Sequence, residues 1–267
     1  IALAELVKNS YDADGTKVEI DFDPKNDKII ISDNGHGMDF EEFTNFWMRI
    51  GSPHKGKKKL SKIFKRKMTG SKGVGRLAVQ LLANELELIT VSENDPTRKL
   101  RSTVNWTEAV DTGDLTNATA NYEIINNEEN KQGTTIILTN LKQKWDSESV
   151  RGLAKEIWWL QPPFRSLDIS ENELGKIFYI DFKSQEKTFE RTFNIQINAI
   201  LNIWYAKIVG KNIYGNVTIT LEFKDEKPIN DKFYIENCNL TNGNFEIRIY
   251  YLSGRQKHGI KVSEARD

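Results

Sequence analysis

Residues 28–38 read KIIISDNGHGM, a run of isoleucines that stops at Ser32-Asp33 and gives way to Asn34-Gly35-His36-Gly37-Met38. Three consecutive β-branched residues behind the polar turn PKND (24–27) predict a buried strand. A carboxylate at the end of such a strand can accept a hydrogen bond from an exocyclic amine. Two glycines let the backbone pass close to a flat ring, and a thioether packs well on that ring's face. An ordinary Asn-Gly turn would account for Asn34-Gly35 alone. The D-x-G-x-G spacing directly after a buried strand asks for more.

Upstream, TKVEIDF (16–22) alternates Val18, Ile20 and Phe22 on one face and predicts a half-buried strand joined to the first by a hairpin. Before it, IALAELVKNSYDAD (1–14) has helical periodicity and ends in an Asp14-Gly15 turn. Spacings of four and three place Glu5, Asn9 and Asp12 on one face of that helix. A carboxylate there can polarise an attacking water. An amide oxygen one turn away suits Mg²⁺, which prefers oxygen ligands and keeps several waters. Taken alone, the stripe reads as a solvated helix face.

Downstream, DFEEFTNFWMRIG (39–51) predicts a helix with Asp39 as N-cap and Glu42 completing a capping box. A long loop follows, and residues 52–76 hold ten Lys or Arg and no Asp or Glu. The loop ends in Gly70-Ser71-Lys72-Gly73-Val74-Gly75-Arg76 and leads into the helix RLAVQLLAN (76–84). Glycine-rich backbone entering a helix N-terminus offers unpaired N–H groups and the positive end of a dipole, which together cradle phosphates. The wording lacks the Gly-Lys-Ser/Thr of a Walker A loop, and no simple strand-turn-helix unit makes it a dinucleotide fingerprint. Lys72 and Arg76 are candidate phosphate contacts. The cluster at 55–67 reads as a solvated charge run. Strands are predicted at 85–91, 99–106, 120–127 and 134–141, the last opening at Gly133-Thr134, where a hydroxyl can share a network with Asp33. A helix at SVRGLAKEIWWL (149–160) and the breaker Pro162-Pro163 close this unit. Beyond it KIFYIDF (176–182), FERTFNI (189–195), NVTITLEF (216–223) and NFEIRIYYL (244–252) read as strands. Their aromatics Phe178, Tyr179, Tyr250 and Tyr251 read as core and strand-face residues.

The 267 residues exceed one typical domain, so two packed domains are expected. Lys plus Arg and Asp plus Glu both number 38, a balance that points to neither a nucleic-acid nor a membrane partner. Cys238 is the single cysteine, which excludes an internal disulfide and a cysteine-rich metal site and fits a reducing, cytoplasmic setting. No apolar run approaches membrane-spanning length, and no signal peptide is visible. The chain opens at Ile1 without Met, inside a helical pattern, and is expected to be a fragment.

ELVKNSYDA, DNGHGM, GSKGVGR and GTTIIL occur in this order and together resemble motifs one to four of the GHKL, or Bergerat-fold, ATPases. That superfamily includes DNA gyrase, heat-shock chaperones, histidine kinases and MutL. The likeness covers about residues 1–141, extends to WM-x-IG (47–51), and is closest in wording to the MutL, MORC and heat-shock chaperone branches. It implies an α+β fold: a Bergerat-type α/β sandwich ATP-binding domain over 1–165, then a smaller, incomplete β-rich transducer-like domain over 166–267. It implies ATP and Mg²⁺, with Glu5 as general base, Asn9 as metal ligand and Asp33 on the adenine amine. Gly70, Gly73 and Gly75 would close as a lid over the phosphates, and Gly35, Gly37, Met38 and Thr134 would line the adenine side. Asp12, Ser71, Lys72, Val74 and Arg76 count among the nucleotide-binding positions.

The family's histidine kinases resemble N-x-x-x-N where this chain has Glu5-x-x-x-Asn9, and no dimerisation helix bears a phospho-acceptor. The three histidines lie at His36, His54 and His258. Slow hydrolysis that drives conformational change or a nucleotide-dependent homodimer is therefore favoured. The alternatives are a nucleotide-gated DNA clamp using the basic loop and, least favoured, a kinase. In the second domain Lys257 or Arg255 is a candidate γ-phosphate contact.

Overall fold

A computed structural model of the chain describes residues 2–48, 60–69, 75–105, 120–161, 176–224 and 226–250. Two compact units result, Ile1–Pro162 with Gly175–Gln196, and Pro163–Leu174 with Ile197–Asp267.

The first unit is built on a seven-stranded sheet of order β5-β4-β3-β6-β2-β1-β7. Its strands are β1 (Lys17–Asp23), β2 (Lys28–Asp33), β3 (Ala83–Val91), β4 (Arg98–Asn105), β5 (Ala120–Asn126), β6 (Gly133–Leu141) and β7 (Tyr179–Ser184). All neighbours run antiparallel except β1 and β7, which are parallel. Period-two alternation aligns the core residues in rows across the strands. One row runs Phe182, Ile20, Ile31, Ile136, Leu88 and Ser102; a second runs Phe22, Ile29, Leu138, Leu86 and Val104. Every member of both rows is buried.

Helices of this unit supply the other layer. α1 (Ala2–Asp12) packs against α3 (Gly75–Leu82) and α4 (Ser147–Ile157) and touches β1 and β2. Leu3, Leu6 and Val7 form the buried stripe of α1, opposite Glu5 and Asn9. α4 is capped by Asp146, whose carboxylate accepts from Ser149 N and Oγ, both at 2.8 Å, and it buries Val150, Leu153, Ala154 and Ile157. α2 (Phe40–Glu42) has the expected Asp39–Glu42 capping box, then continues as a π-helical turn over Phe43–Trp47.

Two expectations for the later chain need correction. FERTFNI is helical, lying inside α5 (Lys187–Leu201). A strand would put Phe193 and Ile195 on one face; instead Phe193 is 1% exposed and Ile195 69%. Buried Phe193, Ile197 and Ile200 recur at helical spacing, and Phe193 stacks on Phe182 at 4.8 Å between ring centres. The boundary read between 165 and 166 also differs from the observed units. β7 pairs with β1 from Lys17–Tyr179 to Phe22–Ser184, which returns the chain to the first sheet.

The second unit holds an antiparallel sheet of order β10-β9-β8-β11, from β8 (Ala206–Ile213), β9 (Asn216–Phe223), β10 (Ile229–Tyr234) and β11 (Asn242–Ile249). Register places Ile208, Leu221, Ile229 and Ile247 in one row of one face, while Lys207, Glu222 and Arg248 share a row on the other. Tyr250 is half-buried and donates to Leu201 O at 3.1 Å; Tyr251, Arg255, Lys257 and His258 lie outside the described residues. Among the described residues no helix is long and apolar enough to cross a membrane.

Candidate functional site

At one end of the first sheet the core-facing row turns polar. The positions in register are Ile180, Val18, Asp33, Thr134, Thr90 and Leu100, so three polar residues occupy sites that elsewhere hold isoleucine and leucine. Asp33 ends β2 directly opposite Thr134, the second residue of β6. Its Oδ1 accepts from Gly35 N at 2.9 Å and Thr134 N at 3.3 Å, and its Oδ2 accepts from Ser10 Oγ at 2.8 Å. Burial pushes the Asp33 carboxyl above the usual carboxylate range, although these donors and the neighbouring His36 pull the other way.

Thr90 is 1% exposed and joins the rest of the row. Its hydroxyl accepts from Met38 N at 2.9 Å and lies 3.1 Å from Thr134 Oγ1 and 3.3 Å from Gly133 O. Met38 is thereby held at the same sheet end as Asp33. The intervening backbone bridges the turn after α1 and the turn after β3. His36 N donates to Ala13 O and Glu93 N donates to His36 O, both at 2.9 Å. Gly37 has φ +63°, and a Cβ there would fall 1.9 Å from Val91 O; at Gly133, φ +136°, it would fall 2.1 Å from Asp33 O. Only glycine fits either place. His36 Nδ1 lies 2.7 Å from Gly37 O, which places the proton on Nδ1.

Ser10 ties this row to α1, where Glu5 and Asn9 lie one turn apart. Glu5 forms an ion pair with Lys8, 2.9 Å from Lys8 Nζ to Oε1. Asn34 holds the turn into β1: its Oδ1 accepts from Thr16 N and Lys17 N at 2.8 Å, and its Nδ2 donates to Thr16 Oγ1 at 2.8 Å.

Asp12, also expected at the nucleotide site, accepts at Oδ1 from Thr69 N at 2.8 Å and Thr69 Oγ1 at 3.0 Å. Asp14 similarly receives Ile63 N and Phe64 N. Both acids therefore hold segment 60–69 against the end of α1. The reading of 55–67 as solvated charge is corrected at Arg66, which is half-buried and donates to Tyr11 O at 3.2 Å and Gly15 O at 2.7 Å. Its guanidinium sits 4.7 Å from the ring centres of both Tyr11 and Phe64, and burial lowers its pKa. Lys62 pairs with Glu93.

Gly75 and Arg76 open α3. Gly70, Ser71, Lys72, Gly73 and Val74 lie outside the described residues, as do the side chain of Arg76, His54 and Lys55, Lys57, Lys58 and Lys59.

Sequence reasoning missed Ser10 and Thr90. Each carried a signal: a hydroxyl on the buried stripe of an amphipathic helix, and a threonine on the core face of ELELITV. Neither says what the hydroxyl touches until strand register is known.

Residues 1–135 match the family described as Histidine kinase-, DNA gyrase B-, and HSP90-like ATPase. A putative type II restriction enzyme, HgiDII, of Herpetosiphon aurantiacus is 37% identical over 92 residues, which is 34% of this chain and 15% of that protein. The ATPase region of Saccharomyces cerevisiae topoisomerase II is similar in structure, with TM-score 0.50 and 10% identity over 82% of this chain and 56% of that one. At that identity the likeness concerns the fold alone.

Proposed function

The chain belongs to the histidine kinase-, DNA gyrase B- and HSP90-like ATPases and carries their ATP-binding module, and on that premise we propose that it is a slow, Mg²⁺-dependent ATPase with Glu5 as general base. The observation that carries this reading is the polar row Asp33–Thr134–Thr90, fastened by Ser10 to the helix of Glu5 and Asn9. A carboxylate offers about four acceptor positions. Asp33 uses three of them on Gly35, Thr134 and Ser10, leaving one for an adenine amine. Met38, with Gly35 and Gly37, would border the ring, and Gly70–Arg76 would receive the phosphates.

The donor chemistry fits the metal. One neutral amide oxygen from Asn9 suits Mg²⁺, which takes its remaining ligands from phosphate oxygens and water. Bound there, the ion would neutralise charge on the transferred phosphoryl group. Glu5 accepts a proton as the water oxygen bonds to the γ-phosphorus; the bond to the β–γ bridging oxygen breaks, and ADP leaves with that electron pair.

Steady-state assays test this directly. Glu5→Ala should lose about 10²–10⁴-fold in turnover while nucleotide affinity persists, the usual contribution of a general base. Turnover at the wild-type rate would remove Glu5 from the role. Closure of the glycine-rich segment and a nucleotide-dependent homodimer follow as the output; sedimentation with and without a non-hydrolysable analogue checks the dimer.

A second reading, a nucleotide-gated DNA-binding module, draws on the likeness to a putative restriction enzyme and on the basic stretch 52–76. Its test is DNA retention with and without the analogue across a salt series, since phosphate contacts weaken steeply with salt. Retention indifferent to both variables removes it.

A further inference from the structure

We infer that Lys8 is the positioning residue for the proposed base, pinning one Glu5 oxygen so that the other faces the attacking water; this rests on the reading of Glu5 given above. Lys8 Nζ lies 2.9 Å from Glu5 Oε1, and Oε2 takes no hydrogen bond among the described residues. One oxygen is thus committed and one open, the arrangement a base needs to present a fixed lone pair. A free Glu side chain would spread that lone pair over several rotamers.

Pairs three apart on a helix or turn are common and usually matter little at the surface. This one differs from its counterparts in the same chain. The side chains of Lys8 and Glu5 are 18% and 27% exposed, against 64% and 36% for Arg98–Asp95, 45% and 71% for Arg151–Glu148, and 71% and 30% for Lys187–Glu190. Partial burial strengthens Coulombic holding and reduces screening by salt.

The experiment compares Lys8→Met, Lys8→Arg and Glu5→Ala in steady-state ATPase assays, with nucleotide affinity measured separately. Met keeps the buried stem and removes the charge. The expected result is a ten- to hundredfold fall in kcat for Lys8→Met with KM and ATP affinity unchanged, and substantial recovery in Lys8→Arg. Addition of Lys8→Met to Glu5→Ala should lower the residual rate no further. If Glu5→Ala abolishes turnover and Lys8→Met leaves kcat intact, or raises only KM, the inference on Lys8 is overturned while the ATPase reading stands. If Glu5→Ala turns over normally, both fall.

Discussion

Asp33 is the residue on which binding and stability pull in opposite directions. Its raised pKa means that the fold penalises the ionised form, chiefly through burial. Stability held with Asp33 neutral is fully present below the ordinary aspartate value of about 3.9 and is lost as pH rises through the folded value. Asp33→Asn removes that loss. The amide can keep the present contacts, with Oδ1 accepting from Gly35 N and Thr134 N and Nδ2 donating to Ser10 Oγ, whose proton turns to Leu6 O at 3.3 Å. Urea unfolding from pH 4 to 8 should therefore show the variant gaining on the wild type as pH rises. A stability difference flat across that range would refute the assignment. ATP affinity should meanwhile fall by about ten- to a hundredfold, because an unmatched buried polar group costs about 1–3 kcal/mol.

At the scale of elements, segment 60–69 is fastened by side chains instead of by regular secondary structure. A single bridge joins Leu60 to Lys67, and Ser61 and Arg66 exchange hydrogen bonds at 2.8 Å. Asp12 and Asp14 take backbone N–H groups from the segment, and Arg66 donates to the carbonyls of Tyr11 and Gly15 around the end of α1. Arg66→Met should cost roughly 1–3 kcal/mol by loss of charged hydrogen bonds and ring contacts. Hydrogen exchange should accelerate at Ile63, Phe64 and Thr69 more than in β2 and β6; unchanged protection at those amides would show that Arg66 is dispensable for docking. The lone Arg among many lysines gives no such warning in sequence, since its partners Tyr11 and Gly15 lie about fifty positions away.

For the whole first unit, β7 closes the β1 edge of the sheet. Ile180 and Phe182 extend its core rows, and Ser184 Oγ donates to Phe22 O at 2.8 Å. A chain ending at 161 leaves β1 as an unpaired edge and uncovers its apolar face, so it should unfold at lower urea than one ending at 201 and should aggregate. Equal midpoints and equal solubility would contradict that account. Among the described residues up to 161, residue choice alone determined most strands and helices and the Asp39 cap, because period, capping and turn chemistry act within a few neighbours. Within the helix Lys187–Leu201 the apolar residues of 189–195 sit close enough to alternation to predict a strand instead. Strand register and the docking of distant segments were decided only by tertiary structure: it set Asp33 beside Thr134 and Thr90, brought Ser10 over them, and turned Asp12 toward Thr69. These contacts join residues dozens of positions apart, and no local pattern carries that distance.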